Sequence, residues 1–347
     1  MKYLKVSLIA AVAIFALSLT LLPRATVQAS GQQPKQKSQK DDKNQKPSGD
    51  QDDQAIKLGA ALVTVPLSVT DKHNAYINDL TKDDIDVTED NKVQQIFSFE
   101  KRTDLPLTMA MLIDISGSEN NTLPIEVEAG SDFFNKVLRP TKDLAAVVTF
   151  ESEPVLIQDL TQNVSRLQAA LHKVRPAVAD ARVGSVTGTP TTVDSRAGST
   201  ALYDAVYAVS GDLLKKEAGR RVIILITDGF DTSSSLKMKD AIEAAWRNEI
   251  VIYSVGIGDP GFEGINRGVL SKMSSDTGGR AFYPKTRQGL QEAFAQIDED
   301  LRQMYILTYQ PTNDARDGSF RQIAVKVKNK KDLTVRHRRG YFAPKAA

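Results

Sequence analysis

The sequence predicts an α/β fold: a doubly wound, mostly parallel sheet, flanked by a small β-sandwich made of N- and C-terminal strands. Three observations carry that prediction. Between Leu105 and Leu301, apolar runs of strand length alternate with helix-periodic segments, as βαβ winding requires. The stretches before and after it, 57–104 and 303–347, have the period of strands and show no amphipathic helix. Each is also too short to bury a core alone. The simplest assembly lets the chain start a β module, leave it to build an α/β domain over 105–302, and return to finish it.

Residues 1–29 read as a secretory signal. Lys2 and Lys5 precede an uncharged apolar run from Val6 to Leu22, Pro23 breaks it, and Val27-Gln28-Ala29 offers small residues for cleavage before Ser30. An uncleaved anchor is the competing reading, because this 17-residue run sits at the lower edge of a membrane span. Cleavage is favoured, and either way the folded part is expected outside the cytoplasm, secreted, periplasmic or at the cell surface. Residues 30–56 follow as a disordered polar linker: Ser30 to Ala55 holds seven Gln, five Lys and five Asp in 26 residues, with one aliphatic side chain. Nothing there offsets the entropy of ordering.

In the N-terminal β module, Leu62, Val63, Val65, Leu67 and Val69 form an apolar run that Pro66 interrupts, so this strand is expected at an edge or with a bulge. Ile85–Val87 and Val93–Phe99 flank Glu89-Asp90-Asn91-Lys92, a hairpin turn. The α/β domain opens on Leu107–Ile113, a run expected to be covered on both faces. Helices are expected at 125–138, 164–174, 201–214, 238–246 and 290–301, and strands at 144–150, 153–157, 222–226, 250–255 and around 281–283. Ala177–Ser199, rich in Gly, Thr, Ser, Ala and Val, is expected to be a loop or a flexible insertion. Tyr305–Tyr309, Phe320–Val327 and Leu333–Arg338 are the returning strands.

Composition removes several chemistries. Cys is 0, which excludes disulfides, thiolate metal sites, cysteine nucleophiles and a lipoprotein anchor, and three His make a multi-histidine zinc site untenable. Lys+Arg 45 stands against Asp+Glu 43. Three of the basic residues (Lys2, Lys5, Arg24) lie in 1–29, so the remainder is essentially neutral, unlike a nucleic-acid binder. No Ser-His-Asp arrangement, P-loop or dinucleotide fingerprint appears.

What remains is oxygen chemistry. Asp114-Ile115-Ser116-Gly117-Ser118 sits where the first central strand ends, Thr200 opens a helix, and Asp228 sits where the second buried strand ends. In a doubly wound sheet, loops leaving the carboxyl ends of neighbouring central strands converge at the switch point. Two carboxylates and three hydroxyls there suit a hard cation, Mg²⁺ best, with Mn²⁺ and Ca²⁺ as alternatives. These residues resemble the metal-ion-dependent adhesion site of the von Willebrand factor A (integrin I-like) family, whose Asp-x-Ser-x-Ser, distant Thr and distant Asp match Asp114, Ser116, Ser118, Thr200 and Asp228. The flanks, over 71–100, 198–206 and 305–341, resemble a secreted bacterial subgroup of related proteins first catalogued in Acidobacteria. The resemblance implies that the serines and threonine bind the metal directly, the aspartates commonly through water, and that a Glu or Asp carboxylate of a partner protein completes the site. Glu119-Asn120 departs from the family, where an apolar residue and then Gly are common, and Glu119 is expected near the rim.

The function expected on these grounds is a non-enzymatic, extracytoplasmic protein-binding module with no nucleic-acid partner, whose membrane contact is limited to an uncleaved N-terminal segment. The alternatives are a scaffold of an envelope complex with a structural metal, and a metal-dependent hydrolase. The hydrolase lacks a general base near the ligands. Asp231 is expected to cap a helix starting near Leu236, Trp246 to pack on the sheet, and the basic C-terminal segment to be solvated edge and turn.

Overall fold

The computed structural model describes residues 62–102, 104–119, 121–176, 199–258, 264–330 and 332–346, with the Ser118 side chain left outside that description. The signal, the linker and the Ala177–Gly198 part of the expected loop lie outside the described residues. Among the described residues, no helix is long and apolar enough to cross a membrane.

Strands β1 (Val63–Thr70), β2 (Ile85–Glu89), β3 (Lys92–Val93) and β4 (Ile96–Lys101) come first. Asp90 and Asn91 have positive φ, as a two-residue turn joining β2 to β3 requires. The expected strand over 93–99 is two pieces. β3 pairs with β2, whereas β4 crosses to the sheet containing β1.

The α/β unit contains β5 (Leu107–Asp114), α1 (Leu123–Val137), β6 (Leu144–Phe150), β7 (Pro154–Thr161), α2 (Val164–Leu171), α3 (Leu202–Ala208), β8 (Arg220–Thr227), α4 (Met238–Arg247), β9 (Ile250–Gly256), α5 (Arg267–Thr277), β10 (Ala281–Phe282) and α6 (Arg287–Arg302). Its sheet runs β10-β9-β8-β5-β6-β7, parallel except for the antiparallel edge strand β7. Every residue of β5 is buried. Met109, Met111 and Ile113 pack with α1, α2 and α6, while Ala110 and Leu112 pack with α3, α4 and α5 on the other face. That two-sided cover is why the strand is a continuous apolar run. The chain builds outward from β5 through β6, then crosses to β8 on the other side. The switch point therefore lies between β5 and β8, whose ends are level because Ile113 pairs with Ile226. The helix expected over 201–214 is α-helical only to Ala208 and continues as a π turn over Val209–Leu213.

Four strands return: β11 (Tyr305–Tyr309), β12 (Phe320–Val327), β13 (Thr334–His337) and β14 (Gly340–Phe342), the last beyond the expected set. They interleave with the first four in two sheets, β13-β1-β11-β4 and β14-β12-β2-β3. Val65, Leu67, Ile85, Val87, Leu307, Tyr309, Ile323 and Val325 fill the space between them. β1 is interior rather than at an edge, yet Pro66 is tolerated: β13 pairs only with residues 67–70, so at Pro66 the strand has a neighbour on one side alone.

The basic C-terminal segment is not merely solvated. Arg338 and Arg339 form ion pairs with Glu249 (3.3 Å) and Asp276 (3.1 Å) of the α/β unit, and Arg336 donates to the Thr70 hydroxyl. Trp246 packs against the sheet through one face of α4, and it also stacks on Phe320 of β12 with ring centres 4.7 Å apart. Its indole N–H donates to the Asp276 carbonyl. These contacts join the sandwich to the α/β unit.

Candidate metal centre

Asp114, the last residue of β5, is fully buried. One carboxylate oxygen accepts the backbone N–H of Ser116 (2.9 Å) and the other accepts the Thr227 hydroxyl (2.6 Å). These bonds turn the chain sharply after the strand and bring Ser116, also buried, to the same place. Asp228 follows β8 directly and accepts the Phe230 N–H (3.0 Å). Gly229 holds φ +84°, and a Cβ there would stand 2.8 Å from Leu270, so this turn requires glycine.

Thr200 is also buried and is held through its backbone. Its N–H donates to the Thr232 hydroxyl (2.7 Å), and its carbonyl accepts the N–H groups of Thr232 and Ser233. It does not cap α3, whose N-cap is Ala201 without a side-chain bond. Asp231 caps α3 rather than the helix after Leu236: its carboxylate accepts from the Tyr203 N–H and the Ser234 hydroxyl. Asp204 instead accepts the N–H groups of Ser235 and Leu236. Of the five expected ligands, Asp114 and Asp228 present carboxylate oxygens within 4.8 Å of each other, Ser116 is bonded to Asp114 through its N–H, and Thr200 is held by the loop that follows Asp228. The Ser118 side chain lies outside the description.

Glu119 is not at the rim. It ends a short 3₁₀ turn over Gly117–Glu119, is 1% exposed, and presents an oxygen that lies, together with one from Asp114 and one from Asp228, in a group whose members are all within 4.8 Å of each other. Its Oε2 accepts the Thr122 hydroxyl (2.7 Å). Glu126, in the first turn of α1, is equally buried, and neither of its carboxylate oxygens has a hydrogen-bond partner among the described residues. Glu126 went unremarked in the sequence, although helix phase points to it: Leu123, Glu126, Gly130, Phe133 and Val137 share the buried face at spacings of three and four.

The electrostatics follow from this crowding. Burial pushes the Asp114 carboxyl up to about 6, against the opposing pull of its bonds to Ser116 and Thr227. Glu119 and Glu126 are also raised, first by burial and then by the negative charges around them. Ionised carboxylates buried together are costly unless a counter-charge compensates. The donor set is all oxygen, its spacing fits one cation, and Glu119 Oε1 is a buried acceptor with no donor. These residues therefore fit a hard divalent cation. A cavity of about 530 Å³ adjoins the site, lined in part by Thr122, Glu126, Ile257, Tyr283 and Leu290.

A doubly wound α/β domain with an oxygen-only cluster at its switch point defines a Rossmann-like domain suited to binding a hard cation. Residues 109–230, which lie within the α/β unit, match the von Willebrand factor type A domain family. No curated protein matches the chain. Among solved structures, similar folds include proximal thread matrix protein 1 of the mussel byssus, solved with a zinc-occupied MIDAS motif (18% identity, TM-score 0.47, 60% of this chain and 48% of that one). Others are a von Willebrand factor type A protein of Catenulispora acidiphila (13%, 0.46, 83% and 74%) and BatB of Bacteroides thetaiotaomicron (18%, 0.43, 57% and 98%). The chain spans about half the length of the mussel protein.

Proposed function

We propose that this chain is an extracytoplasmic, non-enzymatic protein-binding module. In this reading Asp114, Ser116, Ser118, Thr200 and Asp228 hold Mg²⁺, and a partner protein presents an Asp or Glu carboxylate to it. The observation that carries the reading is the meeting of Asp114 and Asp228, from the ends of two neighbouring strands, with Ser116 bonded to Asp114 and Thr200 held by the loop that follows Asp228. When bound, the cation supplies an electrophilic centre for a carboxylate. The chain's own residues do the positioning. Thr227 and the Ser116 N–H fix both oxygens of Asp114, and the 228–235 loop fixes Thr200 through its backbone. Two further observations support binding over catalysis. His337 belongs to β13 in the sandwich, and His73 and His172 are exposed on segments apart from the ligands. The extracytoplasmic assignment draws on the composition of residues 1–29.

Isothermal titration tests this reading. Mg²⁺ binds the full chain, a peptide containing Asp binds only with Mg²⁺ present, and Asp114→Ala abolishes both while the far-UV spectrum stays unchanged. Peptide binding that persists in chelator would overturn the reading. The near-complete burial of Asp114, Ser116 and Thr200 favours a second reading, in which the metal chiefly braces the loops. In that case Mg²⁺ raises the melting temperature and no carboxylate peptide binds.

A further inference from the structure

Glu119 lies outside the five-residue pattern, yet one of its carboxylate oxygens lies within 4.8 Å of an oxygen of each of the two aspartates. Ligands facing each other across a cation stand about 4.2 Å apart for Mg²⁺ and about 4.8 Å for Ca²⁺, twice the bond lengths. The oxygens of Asp114, Glu119 and Asp228 all fall within 4.8 Å of one another. Thr122 holds Glu119 Oε2, which leaves Oε1 buried and without a hydrogen-bond partner among the described residues. A second residue points to the same place. Glu126 is 1% exposed, both its oxygens lack partners, and it lies close enough to Asp114 and Asp228 to feel their charge. Neither glutamate forms an ion pair with a Lys or Arg of the described chain. A Cβ added at Gly117, two residues before Glu119, would meet open space.

We propose that Glu119 is an internal carboxylate ligand of this site, occupying the position that a partner's carboxylate would otherwise enter. The proposal rests on the cation reading above and adds regulation to it: the free protein is self-occupied, and a partner binds by displacing Glu119.

Mn²⁺ titrated into the full chain, followed by water-proton relaxation, reports both affinity and the number of exchangeable waters on the ion. Glu119→Gln is expected to weaken Mn²⁺ about tenfold and to add one exchangeable water. Millimolar acetate then removes that water in Glu119→Gln and has no effect on the natural chain. Glu119→Gln matching the natural chain in affinity and water number overturns the proposal. Asp114→Ala separates this failure from the larger one: if the natural chain takes no Mn²⁺, or Asp114→Ala takes it equally well, the cation reading itself fails. Melting in chelator is a second readout. Glu119→Gln should melt higher than the natural chain, since one buried negative charge is gone, and a lower melting temperature would show that the carboxylate serves the fold.

Discussion

At the scale of the residue, His337 carries a pH dependence whose sign is set by its hydrogen bonds. One ring nitrogen accepts the Val325 N–H (3.2 Å) and the other faces the Arg338 carbonyl (2.7 Å), a pairing that needs the neutral imidazole. Burial holds its pKa below the ordinary 6.5, and the nearby Arg338 charge acts in the same direction. The unfolded chain therefore takes up a proton at a pH where the folded chain refuses it. The stability this contributes is present above pH 6.5 and is lost as pH falls through the folded value, by at most about 1.4 kcal/mol per pH unit. Urea denaturation at pH 7.5 and 5.5 should show a smaller difference in His337→Gln than in the natural chain. Residues also show what a sequence reveals and withholds. Asp114 and Asp228 are legible because each sits at the end of a strand that the apolar pattern marks. Glu119 was visible but misplaced, since a rim and a buried site differ by the fold of one 3₁₀ turn.

At the scale of the element, burial on both faces made the α/β strands readable, for β5 and β8 announce themselves as unbroken apolar runs. The sandwich strands did not name their partners. Alternating patterns say which face is inward and nothing about which strand lies alongside, so β1's interior place and the jump from β3 to β4 emerge only in three dimensions. The same applies to the basic segment, whose counter-charges lie 63 and 89 residues away at Asp276 and Glu249. Between elements, α4 and β12 meet through Trp246 and Phe320, with the Arg247 guanidinium 3.6 Å above the Phe342 ring centre. Trp246→Ala is expected to cost about 3 kcal/mol in denaturant unfolding, while Trp246→Phe, which keeps a stacking ring, costs less than half of that. Equal losses in the two variants would mean that the indole bond to Asp276, not the stack, joins the elements.

At the scale of the whole molecule, the sandwich is closed by strands far apart in the chain. β11 separates β1 from β4, and β12 separates β2 from β14. A chain shortened after Arg302 loses both partners of β1, the partner of β4 and one of the two partners of β2. Val63, Val65, Leu67 and Val69 would return to water at about 1.5–3 kcal/mol each. Limited proteolysis of that shortened chain should cut within 62–101 and spare 107–302, whereas an uncut N-terminal segment would show that it folds without its returning strands. The pairing has one more consequence. The strand that enters the α/β unit and the strand that leaves it are hydrogen-bonded neighbours, Lys101 opposite Tyr305, with the Arg102 N–H on the Met304 carbonyl. Tension applied between residue 62 and residue 346 would thus pass through the ladders of the sandwich and bypass the inserted unit. The switch-point loops would stand outside the load path, and the carboxylates at their tips would keep their spacing while the rest of the molecule bears the strain.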